Sequence, residues 1–289
     1  MLAPLTTPFD ARSGDVAYER AAANAARLLA DGLDGIVAAG STGEAPLLDA
    51  DEQRRLVATL RAAVPRERWL LAGTGAESTR AAVALSRAAA AEGADAVLVR
   101  PPSYYSAALT PEGLAGYFRA VADGSPVPML VYNIPKYTHL PVAPAVLAEL
   151  ASHPNIVGVK DSSGDAANLR AYREVVPQWS VLVGSGSLLL RALELHCQGG
   201  IVAVSCFVAR LAAELLAAAR ADQWPRAAAL QERLATLDKE IVGRLGPAGI
   251  KAAMDAAGGL YGGPVRAPLA SLGAPERDRI GQLLASLTA

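Results

Sequence analysis

The sequence predicts an α/β fold, a single TIM (β/α)8 barrel with a C-terminal helical extension. Short apolar runs alternate with helical stretches rich in Ala, Leu and Arg, and about eight such pairs follow one another without a change in composition. An open doubly wound sheet is the structural alternative. The barrel fits a chain of 289 residues better, because such barrels typically take roughly 250 residues.

The apolar runs have the length of strands, and the stretches between them have the length of helices. A parallel barrel requires this order, since each strand needs a helical crossover before the next. The predicted strands are Leu2–Thr6, Gly35–Ala39, Trp69–Gly73, Ala96–Val99, Met129–Tyr132, Ile156–Lys160, Ser180–Val183 and Gly200–Val204. The predicted helices between them are Tyr18–Asp31, Ala50–Ala63, Ser78–Glu92, Pro111–Asp123, Ala143–Ala151, Ala166–Val175 and Leu188–His196.

After the eighth predicted strand the pattern becomes purely helical. We expect the barrel to occupy residues 1–205, and the helical region, residues 206–289, to pack on the barrel instead of forming an independent domain. The predicted helices of this region are Arg210–Arg220, Gln223–Leu245, Pro247–Ala257 and Pro275–Leu287.

The composition excludes several classes of protein. The net charge is −1, with no basic or acidic block, which argues against nucleic acid or a membrane surface as a partner. No stretch approaches the ~20 apolar residues of a membrane span, and residues 1–9 do not resemble a signal peptide. Cys197 and Cys206 are the only cysteines, so no disulfide framework is expected. We therefore expect a cytoplasmic protein.

Metal and cofactor sites have little support in the sequence. His139, His153 and His196 are scattered, without the spacing of zinc ligands. The segment Gly184-Ser185-Gly186 does not continue into a dinucleotide-binding glycine pattern. Gly184 and Ser185 can still contact a substrate, although a helix entry capped by serine is the alternative. We expect neither a metal nor a cofactor.

Active sites in such barrels lie at the C-terminal ends of the strands. After the second predicted strand, the segment Gly40-Ser41-Thr42-Gly43-Glu44 places two hydroxyl groups between two glycines. Such a turn can direct backbone N–H groups and hydroxyls at a carboxylate or phosphate. A tight turn followed by a helix cap is the alternative, and the pattern alone does not decide between them.

Two other strand ends carry side chains that can react. Lys160 closes an apolar strand that a barrel would bury, and lysine is rarely buried without a partner or a function. Burial generally favours the free amine, which is the form that attacks a carbonyl. The alternative is an ion pair with Asp161 or another acid. Tyr132, at the end of the fifth strand, is a candidate general acid–base or a packed aromatic with a satisfied hydroxyl.

The other lysines are weaker candidates for a nucleophile. Lys239 lies in a polar helical stretch, and Lys251 lies on a predicted C-terminal helix. Lys136 follows Pro135 in a loop. We therefore treat Lys136 as a candidate ligand contact and not as a buried nucleophile.

Together these motifs resemble the dihydrodipicolinate synthase/N-acetylneuraminate lyase family. The resemblance rests on the turn Gly40–Glu44, the pair Tyr104-Tyr105, the segment Tyr132-Asn133-Ile134-Pro135 and the segment Val159–Gly164. It covers essentially the whole chain in the family's order and spacing. Within the family the chain is most similar to the 4-hydroxy-2-oxoglutarate aldolase branch, as seen in segments 71–79, 152–165 and 261–268.

The resemblance implies a role for each matching residue. Lys160 would form the Schiff base, and Tyr132 would shuttle protons. Ser41 and Thr42 would hold the carboxylate of a pyruvate-type substrate and relay protons. Tyr105 would complete the relay from a neighbouring subunit of a homotetramer, a dimer of dimers. The further substrate-binding candidates are Gly43, Asn133, Ser162, Gly184, Ser185, Val202, Tyr137, His139 and Arg100.

Three departures from the family pattern concern the part of the substrate beyond pyruvate. Dihydrodipicolinate synthases carry an arginine where this chain has Tyr137, so the usual guanidinium for a second carboxylate is missing, which speaks against lysine biosynthesis. His139 stands where the family usually has glycine. Arg100 stands where the family usually has an apolar residue, and its charge can serve a carboxylate from another direction.

The resemblance implies a Schiff-base-forming (class I) aldolase that cleaves a 4-hydroxy-2-oxo acid to pyruvate and an aldehyde. For the substrate 4-hydroxy-2-oxoglutarate, the aldehyde is glyoxylate. The alternatives are an aldolase or dehydratase for a 2-oxo-3-deoxy sugar acid, and a dihydrodipicolinate synthase-like condensation. A barrel that only senses a 2-oxo acid is the alternative outside enzymes, since fold alone does not establish activity.

Overall fold

The structure is a computed structural model that describes residues 1–288, with side chains to residue 286. Eight parallel strands form one sheet in the order β1 to β8. The strands are β1 (Leu2–Pro4), β2 (Gly35–Ala38), β3 (Trp69–Gly73), β4 (Ala96–Val99), β5 (Met129–Asn133), β6 (Ile156–Asp161), β7 (Ser180–Val183) and β8 (Gly199–Gly200). A parallel bridge between Leu2 and Ile201 joins the last strand region to the first. The fold is therefore the predicted (β/α)8 barrel.

Helices surround the barrel and continue beyond it. The crossover helices are α1 (Tyr18–Ala30), α2 (Ala50–Ala63), α3 (Thr79–Ala91), α4 (Pro111–Gly124), α5 (Pro135–Thr138), α6 (Pro144–Leu150), α7 (Ala166–Val175) and α8 (Leu189–Glu194). The C-terminal helices are α9 (Ala209–Arg220), α10 (Trp224–Leu237), α11 (Arg244–Ala257) and α12 (Ala274–Thr288). Among the helices described, none is both long and apolar enough to cross a bilayer.

The two-residue period of the strands separates two hydrophobic layers. Val37, Leu98, Leu130 and Tyr132 belong to a small cluster inside the barrel. Their strand neighbours, such as Val131, belong to the large cluster between strands and helices. In β6, Val159 belongs to this outer cluster. The alternation therefore directs the next residue along β6, the candidate lysine, into the barrel interior.

Two sequence predictions are wrong in detail. The predicted strand Gly200–Val204 is a strand only at Gly199–Gly200, and Ala203–Cys206 forms a 3-10 helix. The predicted helix Gln223–Leu245 is interrupted by a π-helix at Asp238–Gly243. Apolar composition does not distinguish a strand from a short helical turn, and no residue pattern marks a π-helix in advance.

The C-terminal helices pack directly on the barrel. Residues of α9 to α12 share one hydrophobic cluster with residues of the strands, and Thr6 Oγ1 donates a hydrogen bond of 3.2 Å to Met254 Sδ on α11. Within α11, Gly246 has the non-helical angles φ 57° and ψ −146° immediately before Pro247. A positive φ suits glycine, and proline lacks the N–H that a continuous helix requires. The resulting kink places the start of α11 at the mouth of the barrel.

Candidate active site

Lys160 lies inside the mouth of the barrel, near the C-terminal end of β6. Lys160 is 4% exposed, and its Nζ lies 4.2 Å from the centre of the Tyr132 ring. Tyr132 and Lys160 are direct partners in the register of β5 and β6. Since both side chains point into the barrel, the strand pairing itself brings the amine and the phenol together.

A cavity of about 240 Å³ surrounds these two side chains. Its wall combines hydroxyl groups with apolar contacts, and it includes residues from both the strand ends and the C-terminal region. The lining residues are Pro4, Ser41, Thr42, Tyr132, Ile134, Lys136, Tyr137, Lys160, Ser162, Ser163, Gly164, Gly184, Ser185, Ile201, Ala203, Asp238, Val242, Gly243, Gly246, Pro247 and Ile250.

The turn after β2 brings Ser41 and Thr42 to this cavity. Backbone hydrogen bonds close the turn, from Gly43 N to Gly40 O at 3.0 Å and from Glu44 N to Ser41 O at 3.2 Å. Thr7 Oγ1 also donates to Gly43 O at 2.6 Å. A Cβ at Gly43 would lie 2.8 Å from the Leu5 carbonyl oxygen, so the close approach to β1 requires glycine. The turn is thus fixed in position before any ligand binds.

Asp161, the neighbour of Lys160, has its hydrogen-bond partners elsewhere. Its carboxylate accepts hydrogen bonds from Asn133 Nδ2 at 2.6 Å, Ser163 Oγ at 2.7 Å and Asn168 Nδ2 at 3.0 Å. Burial raises the pKa of Asp161, and these hydrogen bonds partly offset that effect. Among the described residues, no acid forms an ion pair with Lys160. The alternative of a structural Lys160–Asp161 pair therefore finds no support.

Asp238 is the acid that the described part of the C-terminal region contributes to the cavity wall. Asp238 is 7% exposed, and its Oδ2 accepts hydrogen bonds from Ser187 N at 2.9 Å, Ser187 Oγ at 2.8 Å and Ser185 Oγ at 3.3 Å. Among residues 1–288, no group donates a hydrogen bond to the other carboxylate oxygen, Oδ1. One carboxylate oxygen thus holds the loop after β7, and the other is available to a ligand.

Lys136 supplies a second cation at the cavity wall. Its Nζ donates to Gly243 O at 3.2 Å and lies 5.6 Å from the centre of the Tyr137 ring. Residues 1–288 contribute no acidic partner to this ammonium. Burial, with a smaller contribution from Tyr132, raises the pKa of the neighbouring Tyr137. An exposed ammonium bound only by a carbonyl oxygen can exchange that contact for a substrate carboxylate.

Of the site residues that the family resemblance implies, eight line the cavity and six do not. Arg100 instead forms an ion pair of 3.0 Å with Glu77 and lines a neighbouring hollow of about 370 Å³. His139 is an exposed residue that ends α5 with a positive φ of 53°. Tyr105 is 73% exposed. Gly43, Asn133 and Val202 are buried and do not line the cavity. The residues that line it are Ser41, Thr42, Tyr132, Tyr137, Lys160, Ser162, Gly184 and Ser185.

Sequence reasoning missed the contribution of the C-terminal region. Asp238, Val242, Gly243, Gly246 and Ile250 all line the cavity, although they lie more than 75 residues beyond Lys160 in the sequence. The break Gly246-Pro247 inside a helical pattern was the one local signal available, since such a pair interrupts a helix. Among the described residues, no group of His, Cys, Asp and Glu is arranged to hold a metal ion.

Comparison with known proteins identifies relatives over nearly the whole chain. A sequence model of the dihydrodipicolinate synthetase family matches residues 1–287. The 4-hydroxy-tetrahydrodipicolinate synthase of Synechococcus sp. (strain CC9605) is 38% identical over 287 residues, which cover 98% of this chain and 93% of that protein. The enzyme of the same name from Synechococcus elongatus is 34% identical over 289 residues, covering 99% and 95%.

Solved structures show the same fold. YagE, a prophage protein of the dihydrodipicolinic acid synthase family from E. coli K12 solved in complex with pyruvate, superposes with a TM-score of 0.94 at 30% identity, covering 99% of this chain and 97% of that one. The chloride-inhibited dihydrodipicolinate synthase from Acinetobacter baumannii, complexed with pyruvate, has a TM-score of 0.93 at 28% identity, with coverage of 99% and 98%.

The fold and the relatives together define a (β/α)8-barrel lyase of the pyruvate-dependent class I type. The chain belongs to the dihydrodipicolinate synthetase family, whose sequence model extends over nearly its entire length.

Proposed function

We propose that this protein is a Schiff-base-forming aldolase that cleaves a 4-hydroxy-2-oxo acid to pyruvate and an aldehyde, with Lys160 as the nucleophile. The observation that carries this proposal is the buried Lys160 amine, 4.2 Å from the Tyr132 ring, in one cavity with Ser41 and Thr42. A buried lysine without an acidic partner is suited to attack a carbonyl.

The proposed reaction uses the imine as an electron sink. Lys160 Nζ attacks C2 of the substrate, and loss of water gives a protonated imine. As the C3–C4 bond breaks, its electron pair moves to the imine, and Tyr132 removes the proton from the C4 hydroxyl. The aldehyde leaves and an enamine stays on the lysine. Protonation at C3 and hydrolysis then release pyruvate and the free amine.

Ser41 and Thr42 would hold the C1 carboxylate during these steps. Their turn is closed by backbone hydrogen bonds and lines the cavity that contains Lys160. Fixing the carboxylate orients C2 towards the amine, and such positioning lowers the barrier of the attack. Ser162 and Ser185 line the same cavity and would contact the part of the substrate beyond C3.

We propose 4-hydroxy-2-oxoglutarate as the substrate, which makes glyoxylate the aldehyde. Lys136 supports this choice. Among the described residues it is the cavity's cation besides Lys160, and its ammonium has only the Gly243 carbonyl as a hydrogen-bond acceptor. Tyr137 occupies the position where dihydrodipicolinate synthases carry an arginine. Lys136, one residue earlier, would bind the second carboxylate in its place.

Asp238 favours a second candidate, a 2-oxo-3-deoxy sugar acid. Its Oδ1 lacks a donor among the described residues while its side chain lines the cavity. A carboxylate repels a substrate carboxylate but accepts hydrogen bonds from hydroxyl groups. A condensation of the dihydrodipicolinate synthase type is the third candidate, because the relatives carry that name.

A panel of substrates separates these candidates. Pyruvate release is measured with 4-hydroxy-2-oxoglutarate and with sugar acids, and condensation is measured with pyruvate plus glyoxylate, glyceraldehyde or aspartate semialdehyde. Lys136→Met should impair reactions of glyoxylate, and Asp238→Asn should impair those of glyceraldehyde. Release of pyruvate from none of the 2-oxo acids, together with no condensation, would contradict the proposed activity.

We also propose a homotetramer in which Tyr105 acts in the active site of a neighbouring subunit. Tyr104 and Tyr105 are 80% and 73% exposed and pack edge to face against each other. Tyr105 does not line the cavity of its own chain. Hydrogen bonds from Ser103 N and Tyr104 N to Glu77 hold the loop that carries the two rings. Exposed aromatic rings on such a loop are suited to contact a second copy of the chain. Sedimentation of the wild type and of Tyr104→Ser/Tyr105→Ser measures whether this loop holds subunits together.

A further inference from the structure

Glu44 and Lys251 form an ion pair in the interior, next to residues that line the catalytic cavity. Lys251 Nζ lies 2.6 Å from Glu44 Oε1, and the two side chains are 1% and 0% exposed. Burial lowers the pKa of Lys251, and the Glu44 carboxylate opposes that effect. Burying two charges in this way is costly, and it is weak evidence for a gain in stability. The position of the pair, between two segments that form the cavity wall, points to a role in the site instead.

Each partner lies beside residues that line the cavity. Glu44 follows Ser41 and Thr42 in the turn after β2, and Lys251 follows Ile250 on α11. The kink of α11 also contributes Pro247 to the cavity wall. The ion pair therefore connects the turn that would hold the carboxylate to the C-terminal region that forms the opposite wall.

The backbone at Glu44 needs such a constraint. Glu44 has a left-handed conformation with φ 56°, and Ala39, at the other end of the turn, has φ 48°. Residues other than glycine adopt this conformation only where surrounding contacts enforce it. For Glu44 these contacts are the Lys251 ammonium and Arg266 N, which donates to Glu44 Oε2 at 2.9 Å.

The ammonium of Lys251 is itself held in place. It donates to the Pro264 carbonyl oxygen at 2.7 Å and lies 4.3 Å from the centre of the Phe9 ring. These contacts come from the C-terminal segment and from the loop after β1. Because the ammonium is fixed from several sides, movement of α11 would pull directly on the Glu44 carboxylate.

We infer that Glu44 and Lys251 are positioning residues that set the geometry of the Ser41–Thr42 turn for binding the substrate carboxylate. The inference rests on the proposed function, because it assigns carboxylate binding to that turn. Neither residue touches the cavity, so each acts through the turn. Loss of the pair should weaken the binding of 2-oxo acids more than it slows the chemical steps.

The test measures how imine formation depends on pyruvate concentration. Borohydride trapping at a series of pyruvate concentrations gives an apparent Kd for the wild type, Glu44→Gln and Lys251→Met. Steady-state kinetics on the cleaved 2-oxo acid give kcat and KM. We expect Kd and KM to rise by about tenfold or more, with kcat at saturation within about threefold of the wild type.

A remote ion pair provides the matched control. Arg61 and Asp95 form a largely buried pair of 3.0 Å, and Asp95 lies immediately before β4, at the end of the barrel opposite the cavity. Asp95→Asn should lower Tm and leave the pyruvate dependence unchanged. The double variant Glu44→Gln/Lys251→Met removes both charges and leaves no unpaired charge in the interior. We expect it to regain thermal stability and to keep the raised Kd.

The outcomes separate the inference from the proposed function. A wild type that traps pyruvate, with Glu44→Gln or the double variant showing wild-type Kd and KM, would overturn the inference and leave the aldolase proposal standing. Equal losses in kcat and kcat/KM at unchanged Kd would overturn it as well. A wild type that traps no pyruvate on Lys160 would refute the proposed function, and the inference with it.

Discussion

Tyr132 and Lys160 face each other across neighbouring strands, with the lysine Nζ 4.2 Å from the centre of the phenol ring. The register of β5 and β6 makes them direct partners, and the alternation of the strands directs both into the barrel. This contact depends on backbone pairing and not on flexible loops. It therefore gives the proposed nucleophile and the proposed proton-transfer group a fixed relative position before a substrate binds.

Removing the Tyr132 hydroxyl should separate imine formation from turnover. Tyr132→Phe keeps the ring against Lys160 but cannot transfer protons. We expect borohydride trapping of pyruvate to persist, while kcat for cleavage falls by roughly 10²–10⁴. Trapping yield and steady-state kcat are measured on the same preparation. If Tyr132→Phe turned over at the wild-type rate, another group would have to move the C4 hydroxyl proton.

Mixed oligomers should reveal whether Tyr105 acts in a neighbouring subunit. Lys160→Ala and Tyr105→Phe should each be impaired alone. In a mixed oligomer, a subunit with intact Lys160 can receive Tyr105 from its neighbour, so we expect activity to recover. The measurement is the activity of the two variants after co-expression, compared with each alone. No recovery in isolated mixed oligomers would place Tyr105 outside the catalytic relay or within its own chain's site.

Glu77 should stabilise the loop that carries Tyr104 and Tyr105 in a pH-dependent way. Burial would raise the pKa of Glu77, but hydrogen bonds from Tyr104 N, Ser103 N, Ser103 Oγ and Arg100 outweigh it and lower the pKa from 4.5 to about 2. A carboxyl whose pKa is lowered on folding stabilises the protein above its unfolded pKa, and that contribution is lost as the pH falls through the folded value. Glu77→Gln should therefore lower Tm, and the decrease relative to the wild type should be largest near pH 7, where the carboxylate is ionised.

That difference should narrow as the pH falls below about 4.5 towards 2. Thermal unfolding at a series of pH values measures it. Asp123→Asn serves as the control, since its carboxylate is largely exposed and, among the described residues, pairs only with His153. A Tm difference for Glu77→Gln that stayed constant across this range would contradict the role of the ionised carboxylate.

Gly184 should tolerate no side chain, because it lies against the loop that follows Lys160. A Cβ at this position would lie 1.8 Å from Ser162 Oγ, 2.9 Å from Ser162 Cβ and 3.1 Å from the Asp161 carbonyl oxygen. Gly184→Ala should therefore displace Ser162, slow imine formation and destabilise the fold by about 1–3 kcal/mol.

Gly116 provides the comparison within the same chain. It lies in α4, where an added Cβ would meet no atom within 4 Å outside its own helix backbone, and Gly116→Ala should stabilise the helix by up to about 1 kcal/mol. Denaturant unfolding and trapping rates measure both variants. Wild-type trapping by Gly184→Ala would show that the Ser162 loop can move without cost.

The barrel could be predicted from sequence because the apolar period of each element is a local property. β3, β4 and β7 begin and end where the pattern places them. The eighth strand could not be delimited, because Ile201 to Val204 is as apolar as a strand and only tertiary pairing decides its end. The π-helix at Asp238–Gly243 likewise depends on packing against the barrel and has no local signature.

Of the residues that line the candidate site, those at or just after the ends of strands could be predicted from the sequence. Lys160 and Tyr132 lie at the C-terminal ends of their strands, and Ser41 and Thr42 follow β2. The active sites of such barrels lie at this face. Asp238 and the pair of Glu44 with Lys251 join segments far apart in the sequence. The sequence places Lys251 on a predicted C-terminal helix, and only the fold shows that it is buried.

The most direct measurement is the site of covalent trapping by pyruvate. The protein is incubated with pyruvate, reduced with borohydride, digested and analysed by peptide mass spectrometry, beside Lys160→Ala and the control Lys136→Ala. We predict a reduced pyruvate adduct on Lys160 in the wild type and in Lys136→Ala, and no adduct in Lys160→Ala. An adduct on another lysine, or undiminished trapping by Lys160→Ala, would contradict the assignment of Lys160 as the Schiff-base residue.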